Sequence, residues 1–150
     1  MKHVLVAIDG SVHAWKALDQ AAEYAKQTHA HLTVMHVVPV EEAPKELQEF
    51  ADVENVDPGD VIFRWRKNTM LGDKLMAEAE RRLSRKGIQQ FTKHVVEGDA
   101  TEAILTTART HDIDAIFIGH RGLGALQSLL LGSVAHKVVQ FAPCSCVIVK

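Results

Sequence analysis

Short strand-like runs, most of them apolar and most stopped by glycine, proline or aspartate, separated by stretches of helical periodicity, constrain this chain more than anything else in it. The first is Val4-Leu5-Val6-Ala7-Ile8, stopped by Asp9-Gly10-Ser11. An unbroken apolar run of this length suits a strand buried on both faces, and a parallel sheet covered by helices supplies that environment. From Ser11 to about Thr28 the residues Ala14, Trp15, Leu18, Ala21, Ala22 and Ala25 recur at helical spacing, which predicts an amphipathic helix with Trp15 on its core side. Residues 31–38 form a second run, ended by Pro39, which has no N–H to give to a ladder.

Residues 39–68 break this rhythm with Pro39, Pro44, several glutamates and Asp57-Pro58-Gly59-Asp60, and are expected to form a mobile or partly helical excursion. Periodicity resumes near Thr69, where Leu71, Leu75, Met76, Ala79 and Leu83 make a second helical stripe that Gly87 ends. A third strand is predicted over residues 90–96. Asp99 can then cap a helix with Glu102 three positions on, and Ile104, Leu105 and Ala108 face inward. Residues 114–119 and 144–149 read as the fourth and fifth strands, with a glycine-rich loop and a last helix between them. Strands alternating with helices and joined by right-handed crossovers give an α/β fold: a doubly wound, five-stranded parallel sheet sandwiched by helices, Rossmann-like, in one domain over residues 1–150. The order of the strands is not set by these patterns.

Composition narrows the function. At 150 residues one core is expected, and 47% hydrophobic with 24% charged residues is ordinary globular usage, so disorder is not the reading. A net charge of −2 gives no basic field to draw the chain to nucleic acid or an anionic membrane. The first apolar run is too short for a signal peptide, and no stretch approaches the ~18 apolar residues of a membrane helix, so a cytoplasmic protein without membrane insertion is expected. Cys144 and Cys146, on one face of a strand, read as small buried thiols. Of the nine histidines, His29 with His31 and His3 with His36 can approach one another, but none has zinc-like spacing, and no metal site is assigned. Arg64-Trp65-Arg66-Lys67 is short and follows an acidic stretch, which favours local charge pairing over nucleic-acid contact.

In open parallel sheets ligands collect beyond the carboxyl ends of the strands. After the fourth strand come Gly119-His120-Arg121-Gly122-Leu123-Gly124 and then Leu131-Gly132-Ser133-Val134, which opens a helix. Glycines let main-chain N–H groups approach phosphate oxygens, and a helix N-terminus adds partial positive charge, so the loop suits a polyphosphate. The alternative is that these glycines only make turns. The pattern has no Gly-Lys-Ser/Thr and follows strand four, which excludes a Walker A loop and a dinucleotide fingerprint. Asp9, at a strand's carboxyl end, can accept from a ligand or from the loop, or can cap the first helix. Ser133 can donate to phosphate, cap the last helix, or both.

The spacing Gly-x2-Gly-x9-Gly-Ser, followed by an apolar helix and Ala142-Pro143-Cys144, resembles the ATP-binding branch of the universal stress protein family. Val6-Ala7-Ile8-Asp9-Gly10-Ser11 is similar to that family's opening strand and Val95-Val96-Glu97-Gly98-Asp99 to its third strand and turn, so the likeness spans the chain. It implies an adenine nucleotide alpha hydrolase-like fold and a stress-response role. It also implies an adenosine pocket lined by Ala7, Asp9 and Val37, with Ile118, Gly119, His120, Gly122, Gly132, Ser133 and Val134 around ribose and phosphates. ATP, with Mg2+ or Mn2+ held through its phosphates, is the implied ligand, and a homodimer along the last strand the implied assembly; a protein partner stays open. His120 stands where relatives carry a small hydroxyl residue, and it either contacts phosphate or lies at the surface. Ser145-Cys146 replaces the usual proline and aliphatic residue of the last strand. The chain lacks the metal-binding aspartates and dedicated lysine of kinases and P-loop enzymes, so efficient turnover is not expected; Arg121, Ser133 and Ser11 leave slow hydrolysis or self-phosphorylation open.

Overall fold

A computed structural model of the chain describes residues 2–39, 58–123 and 131–150, with side chains from Met70 onward in the second stretch. In chain order the elements are β1 (His3–Ala7), α1 (Val12–Thr28), β2 (His31–Val38), α2 (Pro58–Arg85), β3 (Thr92–Glu97), α3 (Ala100–Thr110), β4 (Ala115–Gly119), α4 (Ser133–Phe141) and β5 (Ser145–Val149). The strands form one sheet in the order β3-β2-β1-β4-β5, and every neighbouring pair is parallel.

Period-two alternation along the strands splits the core into two layers. Val4 and Val6 of β1, Leu32 and Val34 of β2 and Phe117 of β4 face α1 and α2. Leu5, Met35, Ile116 and Ile118 face the other way, onto Ile104 and Ala108 of α3 and Ala135 and Val138 of α4. The central runs β1, β2 and β4 read as largely apolar sequence because both faces are covered. Chain order carries β1 to β2 on one side and then back across to β4 on the other, so the connections diverge between β1 and β4, which opens a crevice at their carboxyl ends.

Helix α2 starts eleven residues before the position its periodicity suggests. Pro58 and Gly59 look like breakers, but proline's missing N–H and fixed φ suit the first helical turn. Residues 40–57 of the expected excursion lie outside the described residues, as do the side chains of Arg64-Trp65-Arg66-Lys67. Leu75, Met76, Ala79 and Leu83 of the α2 stripe are buried as expected, whereas Leu71 is 49% exposed. Trp15 is packed against the core only in part, with the Arg82 guanidinium 4.7 Å from its ring. Both cysteines are free and half-buried, and burial, chiefly, raises their thiol pKa values. Among the described residues no helix is long and apolar enough to cross a membrane.

The expected histidine pairs are rearranged. His3 lies opposite His31 in the register, while His36 is five residues further along β2 and on the other face of the sheet. It is buried, donating from Nδ1 to the Ile8 carbonyl at 2.9 Å. His29 takes the left-handed C-cap position of α1, at φ 56°, away from His31.

Candidate functional site

A cavity of about 570 Å3 occupies the crevice at the carboxyl ends of β1 and β4. Its floor is apolar, made by Ala7, Met35, Val37 and Ile118 from three strands and Ile104 from α3. Its polar rim is built from the β1–α1 turn and the loop after β4. Nine of the ten residues singled out above line it; His120 is the exception.

Asp9 is the carboxylate on the wall, and its two oxygens tie two loops together. Oδ1 accepts from the Ser11 N–H at 2.9 Å and Oδ2 from the Leu123 N–H at 3.2 Å. It does not cap α1: Ser11 is the N-cap, accepting from the Ala14 N–H at 3.2 Å while its hydroxyl donates to the Arg121 carbonyl at 3.4 Å. The loop after β4 is thus held to the start of α1 by two side chains from one turn.

The glycines have separate reasons. A Cβ on Gly122 would sit 2.6 Å from Asp9 Oδ2, so a side chain there would displace the carboxylate that holds Leu123. A Cβ on Gly119 would meet the main chain of His13 and Ala14 at 2.8 and 2.9 Å, so this glycine lets β4 end against the first turn of α1. Gly132 is the N-cap of α4, and a Cβ there would press on the His120 carbonyl at 3.3 Å. That carbonyl accepts the Gly132 N–H at 2.7 Å, closing the loop on itself.

Because Gly132 brings no side chain to cap α4, Ser133 is the first helical residue and not a cap. Ser133, Val134 and Ala135 line the cavity with the helix's opening turn, where main-chain N–H groups have no partner within the helix. The helix end supplies donors and partial positive charge together.

His120 takes neither position expected of it. Its ring is buried, packing edge-on against His13 at 4.1 Å between centroids, and Nδ1 donates to the Val149 carbonyl at 3.3 Å. The strand places consecutive side chains on opposite faces, and at this position the outlet is toward α1 and β5. The His13 imidazole is held below its ordinary pKa by desolvation first, then by His120, Lys16 and Arg121.

Sequence reasoning missed the walls contributed by α2 and α3: Leu71, the exposed member of its stripe, together with Ala100 and Ile104. Leu71 stands out only as the end of a periodic stripe, and Ala100 follows the cap Asp99; neither carries a signal that points at a ligand. Among the described residues no group of three or more His, Cys, Asp or Glu side chains is placed to hold a metal ion.

Residues 1–150 match the universal stress protein family along their whole length. The chain belongs to that family. It is 34% identical over 148 residues to the universal stress protein YxiE of Bacillus subtilis, covering 98% of this chain and 97% of that one. Among solved structures, a universal stress protein in complex with cAMP aligns over 99% of this chain and 97% of its own at 21% identity and a TM-score of 0.73. The Archaeoglobus fulgidus family member in complex with dAMP aligns over 100% and 98% at 20% identity and a TM-score of 0.65. At these identities the solved structures establish the shared fold.

Proposed function

We propose that this universal stress protein binds ATP in the crevice between β1 and β4 and acts as a nucleotide-dependent regulatory module of the stress response, in the cytoplasm. The observation that carries the reading is the uncapped opening turn of α4 on the cavity wall, beside Gly122 and Gly132, whose missing side chains leave room for close main-chain approach. Its N–H groups suit phosphate oxygens, and the apolar floor of Ala7, Met35, Val37 and Ile118 suits a flat purine. Complexes of family relatives with cAMP and dAMP support an adenine nucleotide as the ligand class.

The fit is to a nucleotide whose phosphates bring their own cation. Asp9 is the acidic side chain on the cavity wall among the described residues, and both its oxygens already accept main-chain N–H groups. Mg2+ or Mn2+ in this reading rests on the phosphates. With its carboxylate engaged in this way, Asp9 is not free to act as the base for an attacking water, which favours binding over turnover.

A homodimer along β5 belongs to the same reading. β5 is an edge of the sheet, and Cys146, Val147 and Ile148 are only half-buried on it.

The test is to extract nucleotide from the purified protein and to titrate ATP·Mg2+ calorimetrically, with Gly132→Val in parallel. ATP that co-purifies with or binds to the wild type and not to the variant supports the reading. A wild type that comes out empty and shows no heat and no melting shift with ATP overturns it, and released ADP in place of ATP moves the case toward slow hydrolysis.

A further inference from the structure

The pole of the sheet opposite the cavity carries a continuous layer of histidines and threonines from four elements. His3 at the start of β1 packs edge-on against His31 of β2, with 4.9 Å between ring centroids. His3 Nδ1 meets the His111 carbonyl at 3.0 Å, and its Nε2 meets the Thr33 hydroxyl at 2.8 Å. His31 Nε2 reaches the Thr92 hydroxyl of β3 at 2.8 Å. His111, the C-cap of α3, packs against His94 of β3 at 5.6 Å, and the Thr110 hydroxyl lies 2.9 Å from its Nδ1. His94 Nε2 lies 3.5 Å from the Thr107 hydroxyl of α3.

The chemistry of these contacts limits what the layer can do. A carbonyl accepts only, so Nδ1 of His3 carries its proton and Nε2 takes the Thr33 hydroxyl proton, a fully matched neutral ring. Five ring nitrogens point at oxygen partners, which is the wrong arrangement for a cage of metal ligands, and none is assembled among the described residues. What can change is proton occupancy. Thr33 and Thr107 are buried, and the threonines bring no charge to the layer. The carboxylate in contact is Asp114, which accepts from the Lys2 and His3 N–H groups at 2.6 and 2.9 Å. Asp114 is thus the carboxylate that reaches His3.

We propose that the layer formed by His3, His31, His94 and His111 is a proton-responsive clasp that holds the C-terminal end of α3 to the start of β1 when neutral and loosens it on acidification. His31 and His111 are exposed to solvent, so a charge on either one stands beside the half-buried His3 or His94. In keeping with this, burial first and then His31 hold His3 below the ordinary imidazole value of 6.5, with His111 adding to the repulsion, while its hydrogen bond to the His111 carbonyl and the charge of Asp114 pull the other way. A folded-state pKa below the unfolded value means that the open form binds more protons, so opening is favoured as pH falls through about 6.5 and saturates below the folded value. Each unit of difference is worth ~10-fold in the opening equilibrium.

The test needs no nucleotide, so it stands or falls apart from the ATP reading. Imidazole proton titration by NMR, on wild type and His31→Gln, is expected to show His3 titrating below 6.5 and moving upward when His31 is neutralised. Amide exchange in the last turn of α3, corrected for its intrinsic pH dependence, is expected to lose protection by several-fold between pH 7.5 and 5.5. His3→Gln, which keeps a neutral hydrogen-bonding head, should lessen that loss. If His3 titrates at or above 6.5 in wild type, or if protection at Thr107 to Thr110 is the same at both pH values, the clasp is overturned. Should His3→Gln fail to fold, the wild-type and His31→Gln titrations still decide.

Discussion

Gly122 and Asp9 depend on each other. The carboxylate holds the loop after β4 through the Leu123 N–H at 3.2 Å, and it can do so because position 122 has no side chain. Gly122→Ala places a methyl 2.6 Å from Oδ2 and removes a hydrogen bond to a charged acceptor. Such bonds contribute about 1.5–3 kcal/mol, and ~1.4 kcal/mol is tenfold in affinity, so the variant is expected to bind ATP at least about tenfold more weakly by calorimetry. Its melting temperature should fall less than that of Gly119→Ala, since the loop lies outside the two core layers. Unchanged affinity would mean that the loop closes without Asp9. Gly119 differs in kind: its missing Cβ accommodates the main chain of α1, so Gly119→Ala is expected to cost fold stability before it costs binding.

At the scale of elements, two helix starts rest on one side chain each. Ser11 caps α1, and Asp99 caps α3 by accepting from the Glu102 N–H at 2.9 Å. Loss of such a cap costs about 1 kcal/mol. Asp99→Ala should show that cost in urea unfolding, with little effect elsewhere. Ser11→Ala should cost more, because its hydroxyl also donates to the Arg121 carbonyl, and it should weaken nucleotide binding as well. Equal costs for the two would mean that the Arg121 contact adds nothing. The Asp99 cap was legible three positions before Glu102, whereas at α1 the sequence singled out Asp9 as a possible cap and the structure gives that role to Ser11. The start of α2 was not legible: Pro58-Gly59 carries the local signature of a turn, and only the continuation of the helix distinguishes first-turn proline from a breaker.

For the whole molecule, the dimer proposed along β5 turns on which main-chain groups face outward. The Val149 carbonyl accepts from His120 across to β4, so by alternation residues 145, 147 and 149 pair inward while Cys146 and Ile148 turn their N–H and C=O groups to the free edge. Cys146→Pro removes an outward donor and leaves the β4 ladder intact. Sedimentation is expected to find wild type dimeric and this variant monomeric; a variant that stays dimeric places the interface elsewhere.

How much of this was legible depends on how local each property is. Strand and helix identity, the parallel character of the sheet and the glycine loop follow from residue runs, because burial on two faces, helical periodicity and missing side chains leave their mark within a few positions. Nine of the ten expected site residues meet at one cavity for the same reason, since they lie at the ends of strands or in the turn, loop or helix start that follows one. The strand order β3-β2-β1-β4-β5 leaves no such mark, and everything that depends on it had to wait for the fold. It brings Leu71, Ala100 and Ile104 to the cavity and turns the His120 ring inward to His13. It also gathers four histidines, as far apart as positions 3 and 111, into one layer. Local patterns decide what each segment becomes; contacts between segments distant in sequence, summed over the packed sheet, decide which of them become neighbours.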